Sequence, residues 1–329
     1  MNRGLHRLAL IAAIIAFAVI ILGAFVRLSD AGLGCPDWPG CYGQLTWPVE
    51  PHEVIEANQS YPERAVETHK AWKEMVHRYL AGALVLLVLA INFLAWKSAA
   101  AGRIRALAAL LLALILFQAA LGMWTVTLKL LPIVVMGHLL GGLATFSLLL
   151  WLTWSTSDRL PSTGGAVFRK LRPVILVSFA VLVIQLALGG WTSANYSALA
   201  CPDFPTCHGE MWPEANFRDG FVLLREVGVD YEGGVLDLRS RMAIQMAHRS
   251  GAVVVFFLLG FLAIRLIQKP PSRQEGLILG ALLLAQITIG IQNIVLQLPL
   301  INAVAHNGMG ALLLAAMLWV LHRSTARPD

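Results

Sequence analysis

Eight apolar runs, each near the length of about 20 residues that a helix needs to cross a bilayer, constrain this chain more than any other feature. They fall at 8–28, 73–96, 104–127, 133–155, 172–193, 241–266, 275–297 and 301–322. The sequence is 57% hydrophobic and 13% charged, so the expected fold is an all-α polytopic membrane protein rather than a soluble domain. The first run follows Arg3 and Arg7 and has no small-residue cleavage site before Arg27. It therefore reads as a retained helix, not a signal peptide. Eight is even, so both termini share a side. The two termini and the segments 97–105, 155–172 and 265–275 hold 14 of the 25 Lys+Arg but only 3 of the 19 Asp+Glu. Basic residues mark the cytoplasmic side, which puts the termini inside and the long loops outside. The pI of 9.4 reflects that topology. Dispersed over short loops, the basic residues give no nucleic-acid signal.

The eight runs form two sets of four. The first long loop carries Cys35-Pro36-Asp37-Trp38-Pro39-Gly40-Cys41, and the second carries Cys201-Pro202-Asp203-Phe204-Pro205-Thr206-Cys207. Glu74-Met75-Val76-His77-Arg78 opens span two, and Gln245-Met246-Ala247-His248-Arg249 opens span six. His138 and His306 lie early in spans four and eight, and Gly122 and Gly290 both sit sixteen residues before them. The offsets between partners, 166, 171 and 168 residues, are nearly constant. Matched cysteine loops together with matched histidines indicate an internal duplication. Because each copy has an even number of spans, the two four-helix bundles should be related by a pseudo-twofold axis along the membrane normal. The expected division is 1–155 for the first half, 156–171 for a cytoplasmic linker with Pro161, Gly164 and Gly165, and 172–329 for the second half.

His77, His138, His248 and His306 each sit within about two turns of the outer end of an even-numbered span. A histidine inside a membrane is costly and marks a functional site. Two at one depth in each half fit a bis-His haem in a four-helix bundle. Zinc is the competing ligand and normally takes three or four protein ligands. A lone histidine could also serve only as a helix–helix contact. Arg78 and Arg249 are suited to haem propionates by their bidentate fork, or they could snorkel to headgroups. All four cysteines lie in outer loops, where an oxidising exterior favours the disulfides Cys35–Cys41 and Cys201–Cys207. Loops this short gain about 2 kcal/mol from closure in the chain-entropy model. A redox role for Cys35/Cys41 stays open beside that structural one. The halves differ at one polar letter. Glu74 lies three residues from His77 and shares its helix face; Gln245 stands in its place in the second half. A carboxylate beside a haem ligand suits proton transfer. Its bland alternative is a salt bridge with Arg78 or Lys73.

These residues together resemble the haem A synthase family, bacterial and mitochondrial, and the paired cysteines resemble its cysteine-bearing bacterial branch. The resemblance spans essentially the whole chain. It implies oxidation of the C8 methyl of haem O to a formyl group, by successive hydroxylation with oxygen from water, for the haem A of cytochrome oxidase. It also implies haem b as cofactor on His248 and His306, substrate haem on His77 and His138, and Glu74 as the mechanistic carboxylate. Arg78 and Arg249 would be the further cofactor-binding residues. Expected partners are haem O, the haem O synthase that supplies it, an unidentified electron acceptor and membrane lipid, with a homo-oligomer left open. The expected location is the bacterial inner membrane. A dihaem b-type electron-transfer cytochrome would use the same histidines but leaves Glu74 unexplained. A haem transporter or chaperone would be expected to show a richer aromatic platform than Trp47-Pro48 and Trp212-Pro213.

Overall fold

The computed structural model of the chain describes residues 3–98, 101–157 and 165–325. In chain order its helices are α1 (Arg3–Leu28), α2 (Pro51–Ser60), α3 (Thr68–Lys97), α4 (Gly102–Thr127), α5 (Pro132–Ser155), α6 (Gly165–Lys170), α7 (Arg172–Ala194), α8 (Phe217–Gly220), α9 (Leu238–Ile267), α10 (Arg273–Val295) and α11 (Leu300–Thr325), with a 3₁₀ turn at Pro270–Ser272. Eight of them are long and apolar enough to cross a membrane, and they coincide with the eight expected runs. Helices α3 and α9 begin several residues earlier than hydropathy suggests. Their first turns, Thr68-His69-Lys70 and Leu238-Arg239-Ser240, are polar yet helical. The Asp237 carboxylate caps α9 by accepting the Ser240 N–H at 2.7 Å, which satisfies one of the unpaired donors at the helix start.

Among the described residues no β-strand forms. The first long loop contains α2. Pro51 begins it, and the Glu53 carboxylate accepts from the amides of Val49 (2.9 Å) and Glu50 (3.0 Å). Proline at the first helical position and a glutamate reaching back are ordinary helix-start chemistry. Of the linker expected at 156–171, residues 158–164 lie outside the described residues, and 165–170 forms α6.

The chain divides into two compact units, Asn2–Leu152 with Val222–Val235, and Thr153–Phe221 with Leu236–Asp329. In the first, α3 packs between α1 and α4, with Ile91 and Leu111 fully buried. In the second, α9 packs against α7 and α10, and α11 closes the ring against α10 and α7. Leu259, Leu262 and Ile175 fill its middle.

One segment does not follow the sequence boundary. Residues 222–235 belong to the second loop, yet they pack within the first unit. Tyr231 is 3% exposed and lies in a cluster with Leu33, Val126, Leu130 and Leu131. Its N–H donates to Lys129 O at 3.1 Å. Arg64 pairs with Glu232 at 2.8 Å and Asp230 at 3.0 Å. An aromatic anchor and a forked ion pair hold this strap, and neither has periodicity that a sequence scan would register.

The duplication recurs in the backbone itself. Left-handed φ angles fall at Asp30 and Tyr196, Tyr42 and His208, Lys129 and Gln297, Leu130 and Leu298. The last two pairs close the short turns after α4 and α10, where Leu130 N–H returns to Thr125 O and Leu298 N–H to Asn293 O. Non-glycine residues rarely adopt such angles, so their recurrence at matched places marks two copies of one local design.

Candidate functional site

The cysteine loops fold on an aspartate. Cys35–Cys41 and Cys201–Cys207 are bonded at 2.03 and 2.01 Å, and all four residues are fully buried. In the first loop, Asp37 accepts the amides of Tyr42 and Gly43, each at 2.7 Å. In the second, Asp203 accepts the amides of His208 (2.6 Å) and Gly209 (2.9 Å) and the Thr206 hydroxyl. These donors, the Thr206 hydroxyl foremost, hold the Asp203 carboxyl down to about 2. In the first loop, burial pushes the Tyr42 phenol up to about 12. The Cys-Pro-Asp motif is thus a loop-folding device: the aspartate gathers the turn that the disulfide closes.

Each loop is then fastened to a membrane helix by the arginine after the histidine. Arg78 Nη1 donates to the carbonyls of Asp37 (2.8 Å), Pro39 (3.3 Å) and Gly40. Arg249 donates to Thr206 O at 2.8 Å and to Cys201 O and Asp203 O at 2.9 Å. Both guanidinium forks, expected to face the carboxylates of a bound group, are largely engaged in holding the loops. Arg249 Nε is buried and has no hydrogen-bond partner.

Glu74 is 5% exposed, with both carboxylate oxygens engaged. Oε1 accepts from Arg78 Nη2 at 2.6 Å, and Oε2 accepts the Cys35 N–H at 3.0 Å. Of its two expected basic partners, Arg78 is the one it meets. The Lys73 ammonium lies over the Phe25 ring instead, 5.3 Å from its centre. Gln245 is equally buried, at 4%, and its Oε1 has no hydrogen-bond partner. The carboxylate therefore ties α3 to the first disulfide loop, a bond absent from the second copy.

The histidines come together as pairs. His77 and His138 face one another with ring centres 6.5 Å apart and planes at 82°. His248 lies early on α9 and His306 early on α11, helices of one compact unit. Each ring is backed by a glycine of another helix. A Cβ built on Gly23 would lie 3.0 Å from Cε1 of His77; on Gly122, 3.3 Å from that of His138; on Gly189, 3.2 Å from that of His248; on Gly290, 2.9 Å from that of His306. A Cβ at Gly290 would force its imidazole to shift, and at the other three the ring would have to give by a few tenths of an ångström. Nδ1 of His77, of His138 and of His306 is buried without a partner.

This donor set suits a porphyrin iron. Each half offers two half-buried imidazoles in a cradle that a methyl group would fill. Among the described residues, no group of three or more His, Cys, Asp or Glu is arranged to hold a metal ion. The three or four protein ligands of a zinc site are not assembled there. A metal held by two histidines takes its remaining ligands from elsewhere, as an iron in a porphyrin does.

Three glutamines not singled out by the sequence reading also touch the site. Gln118 Nε2 donates to His138 O, and Gln286 Nε2 lies 3.3 Å from His306 Nε2. Gln185 Nε2 meets both His248 O, at 2.9 Å, and His248 Nδ1, at 3.0 Å. One signal could have exposed two of them. Gln118 and Gln286 are separated by the same 168 residues as His138 and His306.

Comparison with known proteins shows the family to which the chain is related. The COX15-CtaA family, described as cytochrome oxidase assembly protein, matches residues 6–318. A heme A synthase of Shewanella oneidensis is 48% identical over 315 residues, covering 94% of this chain and 95% of its own. Heme A synthases of Rhizorhabdus wittichii (27% identical; 95% of this chain, 92% of its own) and Bacillus pumilus (26%; 93% and 91%) are similar along nearly their whole length.

Proposed function

The chain belongs to the COX15-CtaA family of cytochrome oxidase assembly proteins, and from that premise we propose how its two unequal halves make haem A. It is an oxidoreductase that converts haem O to haem A. In our reading the C8 methyl is the reacting group. Methyl plus one water gives formyl plus four protons and four electrons. The electrons leave in two-electron stages, and a gem-diol loses water to leave the aldehyde.

The substrate haem is held by His77 and His138. The second half holds haem b through His248 and His306, with the unpartnered Arg249 Nε as the donor available to a propionate. Haem b, when bound, supplies a redox relay between the substrate and an external acceptor. Arg78 contributes by fixing the first disulfide loop and Glu74 together. Glu74 is the catalytic carboxylate. Its oxygens are oriented by Arg78 and by the Cys35 amide, and each keeps acceptor capacity beyond that one bond. It either accepts a proton released at the reacting carbon or stabilises positive charge developing there.

The side with fewer basic and more acidic residues, carrying the cysteine loops, faces out of the bacterial inner membrane, and the termini face the cytoplasm. Haem O synthase supplies the substrate, and the electrons pass to an acceptor outside this chain. The observation that carries the reading is the pair Glu74 and Gln245: one buried carboxylate, and one amide in its place. Glu74→Gln makes the halves alike at this position. Pigments extracted from cells carrying that variant should contain haem O without haem A, while the purified protein keeps its haem. A normal haem A yield by mass would sink the assignment.

A further inference from the structure

The glutamine contacts are unevenly shared. Among the described residues, neither ring nitrogen of His77 or His138 has a hydrogen-bond partner, whereas His248 Nδ1 and His306 Nε2 each meet a glutamine amide. Gln185 is the most specific of these contacts. It reaches both the ring and the main chain of His248, and its space is prepared by Gly251, where an added Cβ would overlap Gln185 Oε1.

Around His77 the first half has neither member of this arrangement; its glutamine, Gln118, set against Gly141, reaches the main chain of His138 instead. The offset of 166 that relates Gly23 to Gly189 puts Val19 opposite Gln185. The offset of 171 that relates His77 to His248 puts Leu80 opposite Gly251. A polar side chain with a gap to receive it thus corresponds to two hydrocarbon side chains. A polar amide in an apolar span is costly unless it has a task, and the bonds of this one go to the ring and main chain of His248.

We propose that Gln185 is a positioning residue that locks the His248 imidazole as a permanent haem ligand, and that its absence leaves His77 free to turn so that haem can enter and leave the first half. The proposal rests on the ligand assignment made above. An imidazole bound to iron through Nε2 carries its proton on Nδ1. Gln185 Oε1 is buried without a partner. Turning the amide over therefore gives Nδ1–H an acceptor and costs one bond, to His248 O. Such a partner fixes the ring's rotation and raises the basicity of the ligating nitrogen. A substrate site that must exchange its haem at every turnover is better served by ligands without that restraint.

The test uses the full-length protein purified with its haem, mixed with an apo-globin that scavenges released haem. Haem transfer is followed by absorbance. Gln185→Leu should release haem from the second half at least about tenfold faster, the usual size of such partner effects. Its low-spin electron paramagnetic resonance signal should also broaden. Gln185→Glu should retain haem and move the midpoint potential to lower values, because a carboxylate draws more strongly on Nδ1–H. The double variant Val19→Gln/Leu80→Gly should slow exchange from the first half. An unchanged release rate and signal in Gln185→Leu overturn the proposal. If that variant fails to accumulate, an unchanged potential in Gln185→Glu does so. His248→Ala separates this from the underlying assignment: if it retains both haems, the ligand assignment is what fails.

Discussion

In the first half a buried carboxylate, Glu74, joins the histidine-bearing helix to the disulfide loop, and the two imidazoles stand without ring hydrogen bonds. In the second half an amide, Gln245, makes no bond through its oxygen, and each imidazole meets a glutamine. Polar contacts have moved from the ligands to the neighbouring acid. A duplicated bundle can diverge this way without altering spans, loops or disulfides. One copy carries a buried carboxylate beside its histidine, and the other carries Gln185 against the ring of its own.

The comparison can be broken in several places. The largest effect should come from Glu74→Gln, which is expected to cut haem A formation by roughly 10²–10⁴-fold, the usual worth of a positioned acid or base. Gln245→Glu should leave formation near normal, measured by the same pigment masses. Next, Tyr231→Ala should cost the first unit about 3 kcal/mol, as aromatic truncation in a core does. Limited proteolysis on detergent-solubilised protein should show α1–α4 loosening while α7–α11 stay protected.

A smaller, graded effect is expected at the glycines behind the histidines. Gly290→Ala places its Cβ nearest a ring, at 2.9 Å, and Gly122→Ala leaves 3.3 Å. Overpacking of this kind costs about 1–3 kcal/mol. Haem content per protein should therefore fall more in Gly290→Ala than in Gly122→Ala. Smallest is a pH effect confined to the second loop. Asp203 is held down from 3.8 to about 2, by the Thr206 hydroxyl first and the Gly209 amide next. A depressed carboxyl stabilises fully above its unfolded value and loses that contribution as pH falls through its folded one. Protection of the His208 and Gly209 amides, taken relative to the intrinsic exchange rate at each pH, should fall between about pH 4 and pH 2, and Asp203→Asn should abolish the dependence.

Much of this was legible in the sequence for a simple reason. Lipid demands continuous apolar length, so the eight helices announce themselves, and a histidine or cysteine pair repeated at constant spacing stands out against them. The unread part is rotational. In a bundle whose helices are apolar all round, hydropathy does not say which way Gln185 points or that Gly189 backs His248. Arg78 was matched to carboxylates, those of haem or of Glu74; its partners are Glu74 and, unforeseen, the loop carbonyls. The strap at 222–235 was invisible because its hold depends on one tyrosine and one ion-paired arginine.

That strap also orders events in time. Tyr231 completes a packing cluster whose other members lie between Leu33 and Leu131, yet it is synthesised about a hundred residues after the last of them. At ordinary elongation speeds the gap lasts on the order of ten seconds. During that interval the leading half exists with its histidines and its carboxylate but without its final anchor. A chain that stalls before the strap leaves an unfinished unit open to proteolysis. The half that carries Glu74 is finished only once the ribosome is well into the half that carries Gln245.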